Sequence, residues 1–453
     1  MSKILLCVSN AIYHNNTYQL VDLYDQIVTE LARCGNEVLV YIPNLFQRYW
    51  FQSENPLKED LDEEKLRNDI SAFNPDLVIT FNNAIYNKLL EVVNCNIAVW
   101  DADLEVFWNQ KGYIEQNLDR YFFFCFSEAK MKYPKKRFGC SDDRIFNIRL
   151  ATSFKASDIE KKANISFIGT NFGSPVNICN VIKQFSGTKD VKNFLKAVRE
   201  EPDISSADLI KKINPSEEFQ DCLKEIPEFY STFAKEDRLL ALSAVADLGL
   251  DLYGDDGWYE LSNFLPSLTS CKKKKCVFSA KENEDIYNGS KICLNIIHPQ
   301  TVNSFPFRVP EVMATSACLV SCYSPAIEKY FKGVNIPFFE HPADARVVCK
   351  KLLDNENMRL DIVAAGNEII DKDWRWEYRF REIEQITGVS LFSDTKGSYT
   401  ILQPAFKEIK KETKPKEKEE TIDDMHGLRK FKYKLLYKIW KKIGKKLARK
   451  GMI

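Results

Sequence analysis

Residues 3–42 read KILLCVSNAIYHNNTYQLVDLYDQIVTELARCGNEVLVYI, and the changes of pattern along that stretch decide the fold class. The run Lys3-Ile4-Leu5-Leu6-Cys7-Val8 is short and apolar on both faces, as a buried parallel strand requires. A polar loop follows, Asn10 to Thr17. Leu20, Leu23, Ile27, Val28 and Leu31 then recur at helical spacing, and Gly35 supplies the stop. Glu37-Val38-Leu39-Val40-Tyr41-Ile42 is a second strand. Strand, loop, helix and strand in this order make one unit of a parallel α/β sheet.

The pattern extends outward from that unit. Further strands are expected at Asp76–Phe81, Ile97–Trp100 and Tyr121–Phe126, giving a doubly wound domain over 1–155. Alternation restarts at Asn164–Asn171, a strand feeding a polar glycine-containing loop. A helical insertion occupies 176–247. Strands at Leu250–Gly254, Cys276–Phe278 and Ile292–Ile296 then fill a second such domain, 160–370. Residues 371–390 hold a last helix, rich in aromatic and charged residues, and 391–427 read as a linker.

A chain of 453 residues is long for one core and suits two domains. Hydrophobic content of 45% with 28% charged residues is that of a folded protein. Thirteen scattered cysteines read as reduced thiols of a cytoplasmic protein, and four histidines leave little for a metal cluster. The net charge of zero conceals an asymmetry. Residues 428–453 carry eleven Lys and Arg and no acid, which leaves 53 basic against 64 acidic residues in 1–427. A body of net charge −11 argues against a nucleic-acid partner. In the tail, Leu428, Phe431, Leu435, Leu436, Ile439, Trp440, Ile443 and Leu447 share one broad helical face. Lys434, Lys438, Lys441 and Lys445 lie opposite, the pattern of an amphipathic helix on an anionic membrane surface; a protein-binding helix or an unfolded polycation is the alternative.

Residues 303–323, NSFPFRVPEVMATSACLVSCY, say most about chemistry. Arg308 and Glu311 sit where an irregular segment becomes a helix, followed by the buried strand Cys318-Leu319-Val320. An arginine there suits a diphosphate, and a glutamate in the first turn can take two ribose hydroxyls. A surface ion pair at a helix start is the plain alternative. The loop Gly169-Thr170-Asn171-Phe172-Gly173 can bring backbone close to phosphates, or be an ordinary tight turn.

Ser290–Ile296 before this motif, Tyr323–Phe331 after it, Ala364-Ala365-Gly366-Asn367 and Trp376-Glu377-Tyr378-Arg379-Phe380-Arg381 complete a pattern. Over roughly 163–387 it resembles the CgeB-like, spore-maturation-type group of GT-B glycosyltransferases. The resemblance implies two Rossmann-like domains facing a cleft, with the last helix crossing back to the first. It also implies a nucleotide-sugar donor held on the second domain, no cofactor and no bound metal. Donor contacts then fall to Arg308, Glu311, Asn303, Gly169 and Thr170. Related retaining enzymes carry a glutamate where this chain has Asn303, so that contact loses its charge.

A base for the acceptor hydroxyl is sought at the first sheet's carboxyl edge, where Asp101 and Asp103 follow Ile97–Trp100 and His14 lies in the first loop. Helix capping is the plainer reading of either aspartate, and a lone loop histidine is more often incidental. The expected protein is a glycosyltransferase acting on a glycan or lipid-linked glycan acceptor, cytoplasmic and peripheral on the inner membrane face. A catalytically degenerate membrane scaffold, or an epimerase or hydrolase on the same fold, are the alternatives.

Overall fold

The structure, a computed structural model, describes residues 1–9, 11–14, 17–48, 57–101, 108, 111–171, 184–201, 206–224, 230–263, 265–298, 301 and 304–407. The chain divides into two compact units, Met1–Ala405 and Phe406–Ile453, and both sheets belong to the first. The expected tail helix 428–453 lies outside the described residues.

The strands of the first half are β1 (Lys3–Cys7), β2 (Ile12–His14), β3 (Thr17–Gln19), β4 (Glu37–Tyr41), β5 (Leu77–Phe81), β6 (Asn96–Asp101), β7 (Tyr121–Cys125) and β8 (Ile145–Asn147). In the second half follow β9 (Ala163–Ile168), β10 (Leu250–Tyr253), β11 (Ser290–Asn295), β12 (Cys318–Cys322) and β13 (Phe338–Phe339), and later β14 (Ser398–Ile401). β2 and β3 form a separate antiparallel pair that starts within the expected polar loop and runs past its end. The other strands make two parallel sheets, ordered β14-β4-β1-β5-β6-β7-β8 and β10-β9-β11-β12-β13. Both centres repeat one topology: the second strand lies outside the first, and the third to fifth continue on the other side. Chain direction across the sheet therefore reverses beside β1 and again beside β9, and such reversals open ligand crevices at the strands' carboxyl ends.

Each sheet is covered on both faces. Ile4 and Leu6 enter one core with α1 (Asp22–Arg33), while Leu5 and Cys7 enter another. In the second sheet Ile165 and Phe167 face one core and Ile168 and Cys293 the other. Two-sided burial is why these strands read as unbroken apolar runs. The helix Trp376–Thr387 leaves the second half and buries Trp376, Phe380 and Ile383 in the first sheet's core, beside Ile4 and Ile79.

Three sequence expectations are corrected. Residues 391–427 are not linker throughout, because β14 pairs in parallel with β4 through Ser398↔Glu37 to Ile401↔Val40. It is four residues long and mostly exposed, so it lacks the apolar run that marks the buried strands. The run Cys276–Phe278 forms no strand; Ser279 directly caps the helix Ala280–Asn288, and β10's outer edge instead meets Lys272 in an isolated bridge. The insertion ends earlier than 247. Lys189–Glu200, Ser206–Ile213 and Glu217–Lys224 share a small core around Phe194, Leu209 and Phe219. The next helix, α2 (Tyr230–Val245), instead packs Ala241, Leu242 and Val245 onto the second sheet. No cysteine is disulfide-bonded among the described residues.

Candidate functional site

The second sheet's reversal point is built from β9. After Ile168 the chain turns through Gly169, Thr170 and Asn171, with Gly169 N–H donating to Tyr253 O at 2.9 Å. Trp258 Nε1 donates to Gly169 O at 2.8 Å, and Asn171 Nδ2 to Gly257 O at 2.7 Å. This close approach requires glycine at 254, where a Cβ would lie 2.2 Å from Gly169 O. The tight turn read from sequence at Gly169 is thus held by Trp258 and the β10 loop.

Two guanidiniums converge on this turn. Arg308 opens α4 (Arg308–Met313; α3 being Ala280–Asn288) and donates through Nη2 to Ile168 O. Arg238 of α2 donates through Nη1 to Thr170 O at 2.7 Å and through Nη2 to Ile296 O at 3.4 Å. Both lie over the Phe167 ring, at 4.8 Å and 5.1 Å from its centroid. Burial pushes Arg238 well below the usual arginine range, and the Arg308 charge pushes it the same way. Burial, then Arg238, holds His298 down to about 4, so its ring is neutral at pH 7. Arg308 forms no ion pair among the described residues. Two cations sharing a desolvated site favour an anion there.

The remaining candidates do not join this turn, although Glu311 shares α4 with Arg308. Glu311 is 3% exposed and faces the first half of the chain, where Gln26 Nε2 donates to its Oε1 at 2.9 Å. Asp101 ends β6 with its Oδ1 accepting from Phe126 N–H at 3.1 Å and Lys130 Nζ 3.7 Å from Oδ2. That geometry ties β6 to the loop after β7. His14 pairs with Thr17 in the hairpin, and its side chain lies outside the described residues, as do Asp103 and Asn303. The structure brings Gly169, Thr170 and Arg308 together; it does not bring Glu311 to them through any described hydrogen bond.

Sequence reading missed Arg238, Asp22 and Gln26. Arg238 sits in a segment assigned to the insertion, with no motif around it. Asp22 and Gln26 are four apart on α1, on a helix whose periodicity draws attention to its apolar positions instead. Among the described residues no group of three His, Cys, Asp or Glu could hold a metal ion. No helix among them is long and apolar enough to cross a membrane.

Residues 236–385 match the glycosyl transferase-like family. The matched segment contains Arg238, Arg308 and Glu311. No curated protein matches the chain. Among solved structures, the chain is similar to sucrose-phosphate synthase from Thermosynechococcus elongatus, at 11% identity and a TM-score of 0.47, over 85% of this chain and 98% of that one. It is also similar to a glycosyltransferase from Rickettsia africae, at 12% identity and a TM-score of 0.47, over 86% and 100%. Anabaena Alr3699/HepE in complex with UDP and glucose aligns at 10% identity and a TM-score of 0.48, over 86% and 100%.

Proposed function

We propose that the protein is a GT-B glycosyltransferase that moves a sugar from a nucleotide-sugar donor to a hydroxyl of a glycan. The observation that carries this reading is the pair Arg238 and Arg308 at the β9 turn, inside the segment that matches the family. In the reaction the acceptor oxygen bonds to the anomeric carbon and the carbon–oxygen bond to the diphosphate breaks. The diphosphate leaves with the electron pair, and the acceptor proton passes to a base. Two fixed guanidiniums are cations already in place to bind the leaving group's charge, which supports a metal-independent reaction. The family resemblance supports a donor lying against the second sheet and an acceptor entering from the first.

The finer reading is a lipid-linked acceptor at a membrane surface, supported by the amphipathic basic pattern of 428–453. Truncation after Asp424 is expected to leave donor binding intact and abolish sedimentation with anionic vesicles. Equal sedimentation of both forms removes the tail from that role. A thermal-shift screen of UDP-, GDP-, dTDP- and CMP-sugars tests the core reading: stabilisation by one class is expected, and no response to any class refutes it. Once an acceptor is found, turnover is expected to survive excess EDTA; complete loss restored by Mg²⁺ or Mn²⁺ overturns the metal-independent reaction.

A further inference from the structure

Glu311 is buried, and its partners come from the opposite half of the chain. Gln26 Nε2 donates to Asp22 Oδ1 at 2.8 Å as well as to Glu311 Oε1 at 2.9 Å. Asn283 Nδ2 of α3 donates to Asp22 Oδ2. On its other side Gln26 Oε1 accepts from Ser153 N–H at 2.8 Å, Ser153 Oγ at 3.0 Å and Thr152 Oγ1 at 3.2 Å. One amide of α1 thus bridges two carboxyls and the segment that joins the two halves. A glutamate so enclosed cannot take two ribose hydroxyls.

We propose that Asp22, Gln26 and Glu311 form a hydrogen-bonded seam that masks Glu311 from a nucleotide until α1 moves away. The proposal rests on the glycosyltransferase reading for the role of Glu311 toward a ribose. The seam itself rests on the bonds above.

The electrostatics run the same way. Burial pushes Glu311 well above the usual carboxylate range, and the Asp22 charge adds to it. Burial also raises Asp22, against the hydrogen bonds from Glu311, Gln26 and Asn283. Both shifts therefore favour a proton held between the two carboxyls. α1 adds Asp25, itself raised by burial and by Asp22. α3 adds Asn283, the buried Tyr287, and Glu284, which raises Asp22 and accepts from Lys155 N–H at 2.9 Å. α4 adds Arg308, which lowers Glu311 but ranks behind burial and Asp22. The 152–153 segment adds only neutral groups. The masked state holds a proton that an exposed glutamate releases near pH 4, so rising pH favours unmasking.

The test uses the full chain, with hydrogen exchange corrected for its intrinsic pH dependence over 22–33, 280–288 and 308–313 at pH 5.5, 7.0 and 8.5. Calorimetric titration with UDP-glucose and GDP-mannose runs alongside. Protection is expected to fall as pH rises, and donor affinity to rise by at most about tenfold per pH unit through the transition. Asp22→Asn is expected to flatten both trends, because its amide can donate to an ionised Glu311. Glu311→Gln, an amide in place of the protonated carboxyl, flattens the exchange trend if Asp22→Asn does not fold. Exchange that is flat in the wild type overturns the seam. Exchange that varies with pH while donor affinity does not overturns the masking. Failure of both sugars to bind at any pH, with exchange still pH-dependent and flattened by Asp22→Asn, supports the seam and refutes the nucleotide reading.

Discussion

The two halves of the chain touch through a buried polar seam and through an exposed ion pair, and the two contacts obey opposite electrostatics. At the seam, Asp22 and Glu311 face each other in a desolvated space, so both hold their protons more tightly than free carboxyls do. At the exposed contact, Glu128, just after β7, pairs with Lys329 Nζ of α5 (Pro325–Tyr330) at 3.0 Å and accepts from Tyr330 Oη at 3.3 Å. Lys329 holds the Glu128 carboxyl below its usual range. Both side chains of that pair are about 60% exposed, so water and salt weaken it. The same residue type, glutamate, therefore gives one contact that acid strengthens and one that acid removes. Burial beside a second carboxyl raises one glutamate, and an exposed lysine lowers the other.

The largest test of this contrast is Gln26→Ala. It removes the amide that serves both carboxyls and leaves buried groups without partners, at a cost of about 3 kcal/mol. Urea denaturation should show a lower midpoint with an unchanged slope; a wild-type midpoint would mean that the seam contributes nothing to stability.

Next in size is Arg308→Ala. Loss of a charge-assisted bond to the diphosphate is worth on the order of 1.5–3 kcal/mol, or about tenfold or more in donor Kd. The same change removes the cation that lowers Glu311, so pH-dependent exchange at 308–313 should move to higher pH. Unchanged affinity would take Arg308 out of the donor site.

The pH dependence is smaller. For Glu311 and Asp22 the folded pKa lies above the unfolded one. Their contribution is therefore complete below the unfolded values and is lost as pH rises through the raised ones, by up to about 1.4 kcal/mol per pH unit for each proton released. Glu128 behaves oppositely: its contribution is present above its unfolded pKa and lost as pH falls through the lowered one. Denaturation midpoints of Asp22→Asn should accordingly lose the alkaline decline and keep the acidic one. A variant that retained the alkaline decline would locate that proton elsewhere.

The smallest effect is Glu128→Gln. It should be detectable only at low ionic strength and vanish in 0.5 M salt (about a 4 Å Debye length). An effect that persists in high salt would mean that the contact is buried when the protein is in solution.

Much of the fold was legible because two-sided burial writes itself into composition. β1, β4, β5, β6 and β7 are apolar runs of strand length, and α1 between them repeats at helical spacing. β14 was illegible for the same reason inverted: it is a four-residue edge strand, mostly exposed, and the alternation of Ser398-Tyr399-Thr400-Ile401 is too short to mark a strand. Cys276–Phe278 misled in the other direction, since three apolar residues before a capping serine also describe a helix entry. At the site, Arg308 and the Gly169 turn were visible because a charged residue beside a helix start, and a glycine after a strand, each carry local meaning. Arg238 was not, because its neighbours at Phe167 and Thr170 are about seventy residues away in sequence.

By itself, the sequence determined that this is a parallel α/β chain in two halves, with an arginine where an irregular second-half segment becomes a helix. These are short-range consequences of hydrophobic period and residue type. Tertiary structure alone decided that both sheets share one strand order, that Arg238 joins Arg308, and that Glu311 turns toward Asp22 and Gln26. Each of those depends on which distant segments exclude water from one another, and desolvation is a property of the assembled space rather than of any residue in it.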